Sequence, residues 1–152
     1  MSNEFHPDEV ARLRIALARI SRVVDRTAAD AGYTKTQLSV LGTVVRVKSI
    51  GLGELAEAEG LNPTMLSRVV GKLEAAGLIS RTTGAVDRRA VLVQPTAAGR
   101  ALHLKLRKRR TDLFVGQLSE LPAGLAAQLL TALPALEALG DQMYATKAGA
   151  LR

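Results

Sequence analysis

The stretch Gly60-Leu61-Asn62-Pro63 stops one helix and starts another. Gly60 can take a positive φ and end a helix. Asn62 is a good N-cap, and Pro63 stands at the first helical position, where its missing N–H costs nothing. The spacing predicts a short helix over Leu52–Glu59 and a second from Pro63 to about Ala76, stopped at Gly77. Leu55 then faces inward, Ala56 is small where the two helices approach, and Leu66 and Val69 point back to the core. Pro63, Thr64, Ser67, Arg68 and Lys72 are left on the outer face. Short polar and basic groups near the start of such a helix suit the base edges of a DNA major groove. An ordinary helical hairpin with a polar surface carries the same pattern.

A rival reading starts a few residues earlier. Gly51-Leu52-Gly53-Glu54-Leu55-Ala56 has the form G-x-G-x-x-A of a dinucleotide-binding loop. That loop needs a strand before it, an unbroken helix after it and an acid at the end of a second strand. Thr43–Val47 can supply the strand, and Glu74 lies at a suitable separation. But Gly60 to Pro63 interrupts the helix, Glu74 falls on the next helix, and the following strand ends in Thr82-Thr83. The context favours a nucleic-acid reader without enzymatic activity; a dinucleotide-binding enzyme fragment built on Gly51–Ala56 is the alternative.

The flanks complete the fold class. Val10, Leu13, Leu17, Ile20 and Val24 recur at helical steps and predict a helix over 9–31, capped by Asp8 and ended by Gly32. Thr34 with Gln37 forms a capping box for a helix over 35–47, buried through Leu38, Leu41, Val44 and Val45; the β-branched cluster Thr43-Val44-Val45 also fits a strand. Leu78–Thr83 and Arg89–Gln94 read as two strands around "GAVD". Thr96 caps a long helix reaching about Val115, with Leu102, Leu106 and Leu113 along one side. A last helix from near Pro122 carries Leu125, Leu129, Leu133, Leu136 and Leu139, with a kink or break expected after Leu133 because of Pro134. The expected fold is mainly α with a small β-hairpin wing: a winged helix-turn-helix of six helices. It forms a single domain over 8–145, with its core at about 34–95 and a frayed tail at 146–152. The apolar stripes of the outer helices (about 9–31, 96–115 and 120–143) have too little of their own chain to cover them, which predicts a homodimer.

Charge sharpens the functional reading. The 152 residues carry net +7, but residues 62–110 hold 11 Lys/Arg against 2 Asp/Glu. A basic block of this kind is the electrostatic footprint expected for a polyanion partner. At the hairpin tip, Asp87-Arg88-Arg89 offers two guanidinium groups to a minor groove, with the carboxylate able to orient one of them. "KLRKRR", residues 105–110, reads as a solvated basic face or a source of long-range attraction to DNA. The absence of cysteine excludes disulfides, thiolate zinc sites and thiol redox sensing. His6 and His103 are far apart without obvious partners, so no metal site is expected, and no cofactor either. No apolar run reaches the length of a membrane span and "MSNEFHPDEV" is not a secretion signal, so the expected location is the cytoplasm, without a membrane partner.

Two segments, "LGELAEAEGLNPTMLSRVVGKLEAAGLISR" and "DRRAVLVQPTAAGR", carry Leu-Ala, Ser-Arg, Leu-Glu, Gly-Leu-Ile, Asp-Arg-Arg and Thr-x-x-Gly in order. In this the chain, over roughly residues 10–143, resembles the MarR family of bacterial transcription regulators. The resemblance implies a dimer of winged-helix lobes, most simply a repressor on a pseudo-palindromic double-stranded DNA operator. It implies that Thr64, Ser67 and Arg68 face bases or phosphates, and that Arg88 and Arg89 sit at the wing tip with Asp87 holding Arg89. Lys35, Thr36 and Gln37 would lie near phosphates. The first and last two helices would form the dimer interface, through residues such as Val10, Leu13, Leu125, Leu129, Leu133 and Leu136. A small phenolic or lipophilic effector would lie near Leu13, Leu17, Leu41 and Val45, which also read simply as core. Two departures stand out: Pro95 replaces the usual leucine before Thr-x-x-Gly, and Pro134 interrupts a helix that is usually continuous.

Overall fold

The computed structural model describes the backbone of residues 5–84 and 91–149, and the side chains within those ranges except 27–29 and 146–149. In order, the elements are α1 (Pro7–Ala29), α2 (Lys35–Val47), β1 (Ile50–Gly51), α3 (Leu52–Glu59), α4 (Pro63–Ala75), β2 (Ile79–Thr83), β3 (Val91–Pro95), α5 (Ala97–Ser119), α6 (Ala123–Thr131) and α7 (Leu133–Gly149). The described residues thus contain seven helices where the sequence predicted six. The chain divides into two compact units, one up to Arg110 and one from Thr111.

The first unit is built around α2, α3 and α4. Leu41, Val44, Leu55, Leu66, Val70 and Leu73 are almost wholly buried, and Ile79 and Val93 close the core from the sheet. The aliphatic side chains of three helices bury their apolar stripes against one another, which is the dominant stabilising term in a core of this kind. Thr43 is the one buried polar residue among those described, and its hydroxyl donates to Glu59 Oε1 at 2.6 Å, tying α2 to the end of α3. The helical reading of Thr43-Val44-Val45 therefore wins over the strand: Thr43 and Val44 are buried on α2, where tertiary packing outweighs the β-branched preference.

The sheet is antiparallel in the order β1-β3-β2, with Ile50 opposite Val93, and Ile79 opposite Pro95 through Thr83 opposite Val91. β1 was not anticipated, because two residues show no periodicity. Among the described residues the second wing strand covers Val91–Pro95, one residue past the expected end at Gln94; its expected start at Arg89 lies outside the described residues. Pro95 is buried at the strand end, where losing its N–H costs no ladder bond further on, and its carbonyl accepts from Arg100 Nη1 at 2.9 Å. Pro95 leaves the start of α5 intact. Thr96 Oγ1 accepts from Gly99 N–H at 3.0 Å and donates to the Gly77 carbonyl at 2.6 Å.

In the second unit, α6 and α7 are bent by 45°. The break falls at Ala132, one residue before the position expected from Pro134: Ala132 N–H still bonds Gln128 O, while its own carbonyl accepts from Ala135 and Leu136. Pro134 therefore stands in the first turn of α7, where a missing N–H is tolerated, and splits the single expected helix into two. No single helix among the described residues is long and apolar enough to cross a membrane.

Candidate nucleic-acid interface

The pair α3–α4 is held at both ends of its second helix by backbone geometry. After α3, Gly60 takes φ 62° and Leu61 N–H reaches back to Ala56 O at 3.0 Å. After α4, Gly77 takes φ 72° and Leu78 N–H reaches Leu73 O at 2.9 Å. These are Schellman closures, which need the left-handed conformation that glycine adopts without steric cost. Between them Asn62 Oδ1 accepts from Met65 N–H at 2.8 Å, and Pro63 opens the helix.

This geometry disposes of the dinucleotide reading. Gly51 ends β1 and Gly53 lies inside α3, which stops at Gly60. Glu74 is occupied by an ion pair with Arg81 at 3.2 Å rather than waiting at a strand end.

α4 divides cleanly into two faces. Leu66, Val69, Val70 and Leu73 are buried, whereas Pro63, Thr64, Ser67, Arg68 and Lys72 are exposed, as the helical spacing required. An open groove of about 780 Å³ runs along the exposed side. Thr64, Met65, Arg68, Val69 and Lys72 line one wall; Thr34, Thr36 and Gln37 of the α2 N-terminus line the other, with Asn62 between. Two helix N-termini therefore open onto one groove. The first N–H groups of a helix have no intrahelical partner, and the helix dipole makes this end positive. The caps satisfy Gln37 N–H (to Thr34 Oγ1, 3.2 Å) and Met65 N–H (to Asn62 Oδ1, 2.8 Å). The N–H groups of Lys35, Thr36 and Thr64 are left for an external acceptor.

The side-chain charges agree in part. Arg68 and Lys72 have no carboxylate partner among the described residues, so their charge is available to the groove. Lys35 differs: its Nζ is bound to Asp25 Oδ2 at 2.8 Å, which ties α2 to α1 and lowers what its ammonium offers a phosphate. Gln37 uses its amide oxygen to accept Thr34 N–H at 2.8 Å, completing the capping box. Asp87, Arg88 and Arg89 lie outside the described residues.

The remaining candidates are spread over both units. Leu41 is deep in the winged-helix core and Val45 packs against it, while Leu13 and Leu17 stand exposed on α1. Val10, Leu125, Leu129 and Leu133 are each about half exposed and Leu136 is half-buried. In the basic run of α5, Leu106 is buried and Arg109 pairs with Asp30 at 3.3 Å, so the run is not uniformly solvated. His103 rests on α2, with its ring 3.4 Å from where a Cβ on Gly42 would stand. Burial first, then Arg107 and Arg110, hold its pKa below the usual 6.5. Sequence reasoning had missed Met65, Thr34 and Asn62 as groove residues. The last two were recognised as caps, and the signal was there: caps of two helices packed together face the same side.

Residues 33–91 match the MarR family model. That segment belongs to the MarR family. An HTH-type transcriptional regulator of Mycobacterium tuberculosis is 28% identical over 130 residues, 86% of this chain and 91% of the relative. The YusO protein of Bacillus subtilis superposes with a TM-score of 0.70 at 25% identity, covering 90% of this chain and 98% of that one. A point mutant of S. aureus MepR bound to an oligodeoxyribonucleotide superposes with a TM-score of 0.69 at 19% identity, covering 89% and 98%. The MarR-type fold thus extends beyond the matched segment to most of the chain.

Proposed function

We propose that this MarR-family transcriptional regulator is a cytoplasmic, sequence-specific double-stranded DNA-binding repressor that acts as a homodimer on a pseudo-palindromic operator. The observation that carries the reading is the groove in which two helix N-termini and the uncompensated Arg68 and Lys72 converge. Free N–H donors hold phosphate oxygens at the edge, and the start of α4 enters the major groove, where Thr64, Ser67 and Arg68 meet base edges or phosphates. The oligonucleotide-bound MepR relative supports a DNA partner for this fold. Asp87, Arg88 and Arg89 complete the contact from the wing, in the minor groove. The half-exposed leucines and valines of α1, α6 and α7 support a second copy as partner, since apolar surface on this scale favours burial. In such a dimer the two α4 helices stand roughly 34 Å apart, one turn of DNA. A lipophilic effector gains ready access to Leu13 and Leu17; reaching Leu41 requires opening the core.

The test is fluorescence anisotropy of the protein with duplex DNA from upstream of its own coding region, across a salt series. Affinity is expected to fall steeply with salt, because phosphate neutralisation releases counterions. Binding that ignores salt, or no binding to any duplex selected from a random pool, overturns the proposal.

A further inference from the structure

Met65 is the one large apolar side chain exposed on α4, at 48% of its surface. Every other large aliphatic residue of that helix, Leu66, Val69, Val70 and Leu73, is in the core. Its position is also specific. It is the third residue of the helix and lines the groove between Thr64 and Arg68. Its backbone is fixed by the 2.8 Å bond to Asn62 Oδ1, while the thioether chain keeps three rotatable bonds to adapt to what it meets.

Thr64, Ser67, Arg68 and Lys72 of this face donate hydrogen bonds or carry positive charge, which suits phosphates and the acceptor atoms of guanine. A thioether does neither. In the major groove the one apolar feature a base presents is the C5-methyl group of thymine. The first residues of a helix-turn-helix recognition helix are those that meet base edges. We propose that Met65 is a specificity-determining residue that selects a thymine by burying its C5-methyl group, next to bases or phosphates held by Thr64 and Arg68. The assignment rests on the DNA-binding reading above and adds to it a base and a chemical group.

Thymine and uracil differ at that methyl alone, so the contact can be removed from the DNA side without touching the protein. The probe is a duplex that the full-length protein selects from a random-sequence pool. Each thymine is replaced singly by deoxyuridine, and affinity is measured for the wild type, Met65→Ala and Met65→Leu. For the wild type, one position per half-site is expected to weaken binding roughly fourfold, the factor for one buried methyl. With Met65→Ala, thymine and uracil at that position become equivalent; with Met65→Leu, which keeps an apolar group there, the preference persists. Because Met65 is exposed, both variants are expected to fold, and equal melting temperatures verify it. If the wild type selects no duplex, the DNA-binding reading itself fails. If it selects one but uracil is neutral at every position, or costs Met65→Ala as much as the wild type, DNA binding stands and the role of Met65 is overturned.

Discussion

Gly99 and the carbonyl of Leu78 are packed so closely that a Cβ on the glycine would overlap the oxygen. Thr96 reinforces the contact, since its N–H also bonds Leu78 O at 3.1 Å while its hydroxyl reaches Gly77 O at 2.6 Å. The Thr-x-x-Gly element therefore clasps the start of α5 onto the turn that ends α4. Threonine supplies the bonds and glycine supplies the room.

Gly99→Ala separates this packing from helix propensity. In an open helix the change would stabilise by roughly 1 kcal/mol. Here the backbone oxygen cannot step aside cheaply, and we expect net destabilisation of about 2 kcal/mol or more, read from urea denaturation. A stabilised variant would refute the close approach.

Lys48 is the opposite case. It is exposed, follows α2, and holds φ 70° and ψ −36°, a conformation costly for a residue with a Cβ. Lys48→Gly is expected to raise stability by about 1 kcal/mol, because relief of strain exceeds the added freedom of the unfolded chain. The same denaturation experiment decides it.

Removing charge from the groove should act on binding and leave the fold alone. Arg68→Ala is expected to weaken operator binding by roughly 1–3 kcal/mol, and Lys72→Ala to lower the salt slope by about one unit if it meets a phosphate. Melting temperatures within a degree or so of wild type are expected for both, since neither side chain is buried.

His103 should make stability depend on pH. Its pKa in the folded chain is below 6.5, so between that lowered value and 6.5 the unfolded state binds more protons. Stability is then fully present above about pH 6.5 and is lost as pH falls towards the folded pKa. His103→Gln, which cannot charge, is expected to lose less stability than wild type between about pH 7 and 5. Equal slopes for the two would remove His103 as the cause.

Leu129→Glu tests the dimer. Leu129 is 47% exposed on α6, and a carboxylate buried there in an interface would be costly. Sedimentation is expected to show a dimeric wild type and a largely monomeric variant.

Much of the DNA-facing lobe was legible because its signals are local. Thr34 and Gln37, Asn62 and Pro63, and Gly60 and Gly77 each act within a few residues of themselves, and each does in the structure what its type and spacing required. What escaped is set by distant neighbours. β1 exists only because Ile50 and Gly51 find Val93 and Leu92. The engagement of Lys35 is decided by Asp25 on another helix, and the place of Met65 in a groove by the α2 N-terminus that lines the opposite wall. The kink or break expected after Leu133 is a break at Ala132, one residue earlier, because proline shows where an N–H is missing and not which carbonyl turns away.

The two-faced division of α4 has a practical consequence. Of the side chains that fix the helix to the lobe, Leu66, Val69, Val70 and Leu73, only Val69 also reaches the groove, and both ends of the helix are held by their caps. Thr64, Met65, Ser67 and Arg68 can therefore be exchanged as a cassette without disturbing the fold, which makes this lobe a chassis on which a new sequence preference can be written.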